Sequence, residues 1–198
     1  HPPLRRQRQM CIRDRVIAPA HHRRIQAGIL SWGQDLDHEH NPFQCNLGYQ
    51  VSLSGKGEWA KKGDYIGKQA LEKMKADLKD GHKPYKLQLV GFEIGGKPID
   101  EYAPDFWLVS PGDGGDPCGF ITSPWYHPEK GKNIAMGYIP FDGTLNPNGF
   151  PKWELGKKFK VHLPDIYADE PGVPVDAVTV DVPFTESFNA NTREVVKG

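Results

Sequence analysis

Apolar positions recur at two different periods along the chain, and the change from one to the other falls near residues 82–86. Upstream, Ile66, Ala70, Leu71, Met74 and Leu78 repeat at a spacing near four. That is one stripe of an α-helix, and Gly81 and Pro84 supply its stop. A second, shorter helix fits between Val16 and Leu30, with Ile25, Ile29 and Leu30 as its apolar contacts. Asp35 to Pro42 is polar and turn-like, and Pro42 biases Asn41 away from helical backbone. Leu47, Tyr49, Val51 and Leu53 then fall on one face at period two, which predicts a strand. Downstream the helical period disappears. YKLQLVGFEI, FWLVS, GFITS, NIAMGYIPF, KKFKVHL and DAVTVDVPF are short apolar or alternating runs, separated by Gly, Pro, Asp and Asn. In the first of them Leu87 and Leu89 oppose Val90 and Phe92. About six strands without a second convincing helix predict an antiparallel barrel or sandwich.

Composition sharpens this picture. The 198 residues include 22 Gly and 18 Pro, which points to many turns and a loop-rich β architecture. The 25 Lys and Arg balance the 25 Asp and Glu, so nothing calls for nucleic acid or an anionic membrane as partner. No apolar run reaches the length of a membrane span, and no charged start leads into an apolar signal segment. Cys11, Cys45 and Cys118 are odd in number and form no CxxC pair. They read as reduced thiols of a cytoplasmic protein. The opening HPPLRRQRQMCIRDR packs five arginines into fifteen residues, without periodicity and without Met at position 1. Residues 1–15 are therefore expected to be a non-native assembly scar or a disordered arm, with the natural chain beginning upstream. The polar residues 185–198 are expected to form a surface tail.

The densest chemistry lies in GQDLDHEH, where Asp35, Asp37, His38, Glu39 and His40 suggest a metal site at first sight. The spacing matches neither zinc nor calcium-loop patterns. Consecutive residues of an extended chain also point to opposite faces, so at most half could converge. A capped loop is the expected reading, and no metal is expected. His127 in SPWYHPEKGKN reads as part of a surface turn. No phosphate loop, serine elbow, HExxH or dinucleotide fingerprint occurs. Trp32, Trp125 and Tyr126 sit beside Gly or Pro in loop-like stretches. There an aromatic ring packs in the core or faces a planar ligand, and the sequence leaves both readings open.

Taken in order, RIQAG-x(4)-GQDLD-x(3)-NPFQCNLGYQV, GDYIGKQAL, LVGFEI, GFITSPWYHPEKGKNIAMGYIP and VDVPF resemble the folate-dependent aminomethyltransferase family. That family includes the glycine cleavage T-protein and tetrahydrofolate-dependent demethylases, and the likeness covers about residues 23–184. It implies an α+β fold: a short mixed α/β segment, residues 16–82, closing the folate-binding body, then a C-terminal antiparallel β-barrel, residues 83–184. It also implies that the chain is only the C-terminal half of such an enzyme, with the missing N-terminal half as its first partner. Tetrahydrofolate would be the cofactor. The family's pterin-binding glutamate in R-x-E-A-G matches Gln26, whose neutral amide both donates and accepts. Trp32, Asp35, Trp125 and Tyr126 complete the expected cofactor contacts, with Asp35 and Asp37 shaping the loop that frames the cavity. The family's catalytic aspartate lies in the half not represented here, so no catalytic residue is assigned and the fragment alone is expected to be inactive. GKPIDEY also lacks an arginine common among glycine-cleavage members. The extra aromatics, and the insertions at 143–154 and 167–175, resemble the demethylases that take a methyl group from sulfur or oxygen. The alternatives are the glycine cleavage aminomethyltransferase, which would dock a lipoyl carrier protein, and a non-catalytic folate-binding domain or part of an amine oxidase or dehydrogenase fusion.

Overall fold

A computed structural model describes residues 21–51, 53 and 65–184. The basic arm at 1–15 and the tail at 185–198 lie outside the described residues, as does most of the stretch between Val51 and Tyr65. Among the described residues, all six β-strands lie beyond residue 86: β1 Leu87–Ile94, β2 Trp107–Pro111, β3 Gly119–His127, β4 Lys132–Pro140, β5 Lys158–Val161 and β6 Val175–Val180. Each falls on one of the six runs read from the sequence. They close into a barrel in the order β1-β4-β3-β2-β5-β6, and every pairing is antiparallel. The fold is therefore the expected one, a short mixed α/β region followed by an antiparallel barrel, and closure leaves no unpaired edge to protect.

Alternation along β1 explains the placement of the core. Val90, Phe92 and Ile94 point inward and pack with Val109, Phe159 and Val161 in the barrel interior. Leu89 points outward, yet it is buried as well. The outer wall of β1, β3 and β4 is covered by the segment that precedes the barrel. There α1 (His21–Gln26) lays Ile25 against Leu89, Ile134, Met136 and Tyr138. Both faces of the wall are dry, so β4 reads as a nearly continuous apolar run. Ile29 does not join this cluster and is 59% exposed.

The helical stripe is realised as α2 (Lys68–Lys79). Leu71, Met74 and Leu78 pack with Phe43, Tyr85 and Phe141. Ile66 lies ahead of the helix and Ala70 on its outer side, both exposed. Gly81, at φ +80°, turns the chain out of the helix, and the His82 N–H closes on the Asp77 carbonyl at 2.8 Å.

One element differs from expectation. Instead of a strand over Leu47–Leu53, Gly48–Gln50 forms a short 3-10 turn. Asn46 causes it by adopting left-handed backbone at φ +60°, while its amide donates to the Leu89 carbonyl at 2.7 Å and accepts from Gln88. An extended run cannot continue through that conformation.

Candidate functional site

The loop after α1 is fastened to the barrel by a buried polar cluster centred on Asp35, which is 1% exposed. Its carboxylate accepts from the Arg24 guanidinium at 2.7 Å, the Ser31 N–H at 2.8 Å, the Thr122 hydroxyl at 2.6 Å and the Ser123 hydroxyl. Its backbone carbonyl accepts from the Tyr138 hydroxyl at 2.6 Å. Arg24 also donates to the Gln34 side-chain oxygen and the Ser123 hydroxyl, each at 2.8 Å, and the Gln34 amide donates to the Thr122 carbonyl at 2.8 Å. The Asp35 charge and lone pairs are thus matched inside the protein, as a buried ion pair requires, while the buried Arg24 Nε has no partner among the described residues.

A β-bulge makes the cluster possible. The pairing of β3 with β4 slips between Ile121 and Ser123, leaving Thr122 as the extra residue. Regular alternation would aim Thr122 and Ser123 at opposite faces. With the slip, both hydroxyls reach the same carboxylate oxygen.

Asp37 behaves differently. It accepts from the Glu39 N–H and pairs with His40 Nδ1, each at 2.8 Å. The Glu39 hydrogen bond, then His40, holds its carboxyl below the usual range. His40 packs its ring on Tyr138, while His38 is exposed. The acid–histidine run is therefore a capped loop whose first carboxylate is turned inward and whose second is turned outward.

Gln26 ends α1, half-buried, and its backbone carbonyl accepts from the Phe184 N–H at 2.9 Å. Its side-chain amide makes no hydrogen bond among the described residues. Trp125 is half-buried against the outer-wall cluster, with His21 stacked at a centroid distance of 6.2 Å and His22 also at 6.2 Å. Burial, then the Arg24 charge, pushes the His21 pKa down. Tyr126 follows in β3, its N–H bonded to the Ile99 carbonyl at 2.8 Å. Trp32 is 69% exposed. Gln26 and Trp125 are thus placed on or against α1, whereas Trp32 stands out on the loop. His127 is not part of a surface turn: it is 1% exposed at the end of β3.

Arg24, Thr122, Ser123 and Tyr138 are the residues the sequence reading did not single out. Two adjacent hydroxyl residues inside an otherwise apolar strand were the available signal for Thr122 and Ser123.

Beside α1 lies a cavity of about 320 Å³ between the loop and the outer wall, lined by Ala27, Leu30, Cys45, Tyr49, Met136 and Trp153 among others. None of Gln26, Trp32, Asp35, Trp125 or Tyr126 lines it. Cys45 sits 3.5 Å from the Tyr138 hydroxyl, and burial pushes the pKa of both groups up.

No protein-family model matches the chain. Curated relatives do. An aminomethyltransferase of Synechocystis sp. is 32% identical over 117 residues, 59% of this chain and 27% of the relative. One from Thermosynechococcus vestitus is 29% identical over 162 residues, 81% of this chain and 35% of the relative. The fold resembles the crystal structure of glycine cleavage system aminomethyltransferase T from Bartonella henselae, at a TM-score of 0.56 and 20% identity, over 82% of this chain and 37% of that one. The chain spans about a quarter to a third of the length of the curated relatives it matches. Among the described residues no helix is long and apolar enough to cross a membrane.

Proposed function

We propose that this chain is the C-terminal portion of a tetrahydrofolate-dependent one-carbon transferase, a reading supported by its sequence similarity to curated aminomethyltransferases and by the likeness of its fold to an aminomethyltransferase T. The preferred reaction is aminomethyl transfer, as in the glycine cleavage enzyme. The observation that carries this choice is that six relatives similar in sequence are named aminomethyltransferases. Methyl transfer from a sulfur or oxygen donor becomes the second reading. It is kept because the family's acidic pterin contact is a neutral Gln26 here.

Gln26 fits the part of a cofactor contact. A half-buried amide without a hydrogen-bond partner among the described residues can donate to and accept from a pterin edge. Asp35 contributes by shape alone, since its oxygens are taken up by Arg24, Ser31, Thr122 and Ser123. Trp125 would back α1, and Trp32 and Tyr126 would meet the ligand only at the join with the rest of the enzyme. Bound tetrahydrofolate would supply the nucleophilic nitrogen that takes up the one-carbon unit. This chain's residues would hold the pterin and exclude water around it. A lipoyl carrier protein would be the donor's bearer in the preferred reading, and a small methylated molecule in the second.

The test is an assay of the full-length enzyme with tetrahydrofolate, offered either aminomethyl-loaded lipoyl carrier or methylated sulfur and oxygen donors. Turnover is expected with the carrier, and turnover with the methyl donors alone would reverse the choice. The 198-residue chain by itself is expected to give none, because transfer needs groups from both sides of the cofactor within hydrogen-bond reach.

A further inference from the structure

The cavity beside α1 is not explained by any of the contacts proposed for tetrahydrofolate, although it begins one residue after Gln26, at Ala27. Its volume of about 320 Å³ lies at the small end of the range of ligand pockets, roughly 300–1,000 Å³. Three features restrict what it can hold.

The first is charge. Among the described residues, the lining contains no Asp, Glu, Lys, Arg or His. A charged guest would lose its hydration without gaining a counter-charge. The second is the commitment of the polar groups that do line it. The Asn46 amide is bonded to Leu89 and Gln88, the Trp153 indole N–H donates to the Val180 carbonyl at 3.0 Å, and the Cys45 thiol contacts the Tyr138 hydroxyl. Tyr49 differs: its exposed hydroxyl accepts from the Gln50 amide at 3.0 Å and keeps its own proton to donate. The third is the kind of surface offered. Trp153 and Tyr49 present aromatic rings, and Met136 and Cys45 present sulfur, which makes favourable contact with ring edges. Gly28 fixes one edge of the cavity. At φ +66° it lets the chain run against Val182, where any side chain would collide.

We propose that this cavity is a binding subsite for a neutral aromatic ring, separate from the cofactor contacts around Gln26. The ring belongs either to a small uncharged aromatic molecule or to the uncharged aromatic portion of a larger ligand, tetrahydrofolate included. The proposal stands on the lining of the cavity and does not require the reaction proposed above.

Indole is a suitable probe, and indole-3-acetate is its charged counterpart. The chain has three methionines, so the methyl signal of Met136 can be assigned and followed in a methyl-labelled sample. Indole is expected to bind the 198-residue chain and to shift the Met136 signal, with indole-3-acetate binding more weakly. Ala27→Leu, which fills the cavity, should weaken indole by about tenfold or more in calorimetry. Tyr49→Ala, at a residue 71% exposed, should weaken it without disturbing the fold. Circular dichroism of both variants separates loss of binding from loss of folding, and Tyr49→Ala carries the test if Ala27→Leu does not fold. Tetrahydrofolate added to the indole complex distinguishes the sources: release assigns the subsite to the cofactor's own ring, retention to another molecule. The proposal is overturned if indole leaves the Met136 signal unmoved, if the folded variants bind it as the parent does, or if indole-3-acetate binds equally well.

Discussion

Asp35 is buried with Arg24, whose side chain is only 13% exposed, so removing the carboxylate leaves a largely buried guanidinium without its counter-charge. Asp35→Ala is expected to cost about 3–5 kcal/mol in denaturant unfolding. Asp37→Ala, two positions along, should leave the midpoint nearly unchanged, because Asp37 only caps its own loop. No count of acidic residues separates the two. The difference arises from a bulge in a strand 87 positions away, which no local pattern announces. At Gln26 the expected effects concern binding. In the complete enzyme Gln26→Glu should strengthen tetrahydrofolate binding by ~1 kcal/mol and Gln26→Ala should weaken it, and equal affinities by calorimetry would take position 26 out of the site. His21 gives a pH signature. Its folded pKa is lowered, so the unfolded chain binds the extra proton first. Its contribution is fully present above about pH 6.5 and is lost as the pH falls from there towards the lower folded value. Unfolding of His21→Phe followed between pH 5 and 7 should therefore depend less on pH than that of the parent chain.

At the scale of elements, α1 is only six residues long and cannot persist without packing. Ile25 supplies that packing at 1% exposure. Ile25→Ala is expected to destabilise the protein by about 2–5 kcal/mol, and Ile29→Ala, at an exposed position, to change little in the same melting experiment. The strands and α2 were legible because period and turn chemistry agree within each. Six short runs bounded by Gly, Pro, Asp and Asn became six strands, and Gly81 ended α2 where the stripe of Leu71, Met74 and Leu78 ran out. The region at 47–53 was misread for a physical reason. Leu47, Tyr49, Val51 and Leu53 alternate as a strand would, but the left-handed Asn46 that turns the chain ahead of them is held by β1 rather than by its neighbours.

The molecule as a whole is a barrel with one side of its outer wall closed by the segment that precedes it. A chain shortened to residues 83–184 should retain a β-dominated circular dichroism spectrum, since the barrel closes within those residues. It should also bind a hydrophobic dye far more strongly than the parent, because Leu89, Ile134, Met136 and Tyr138 lose their cover. A mainly helical spectrum would count against the barrel as a unit. The fasteners between cover and wall are distant along the chain: Arg24 reaches Ser123 across 99 positions, and Asp35 reaches Tyr138 across 103. This separation has a consequence for biosynthesis. On a ribosome adding ~5–20 residues per second, Asp35 is made ~5–20 s before the tyrosine whose hydroxyl donates to its carbonyl. Throughout that interval Ile25 and Leu30 have no wall to cover, and Arg24 has no barrel hydroxyl to meet. The nascent cover is therefore expected to stay undocked from this wall until β4 has been synthesised.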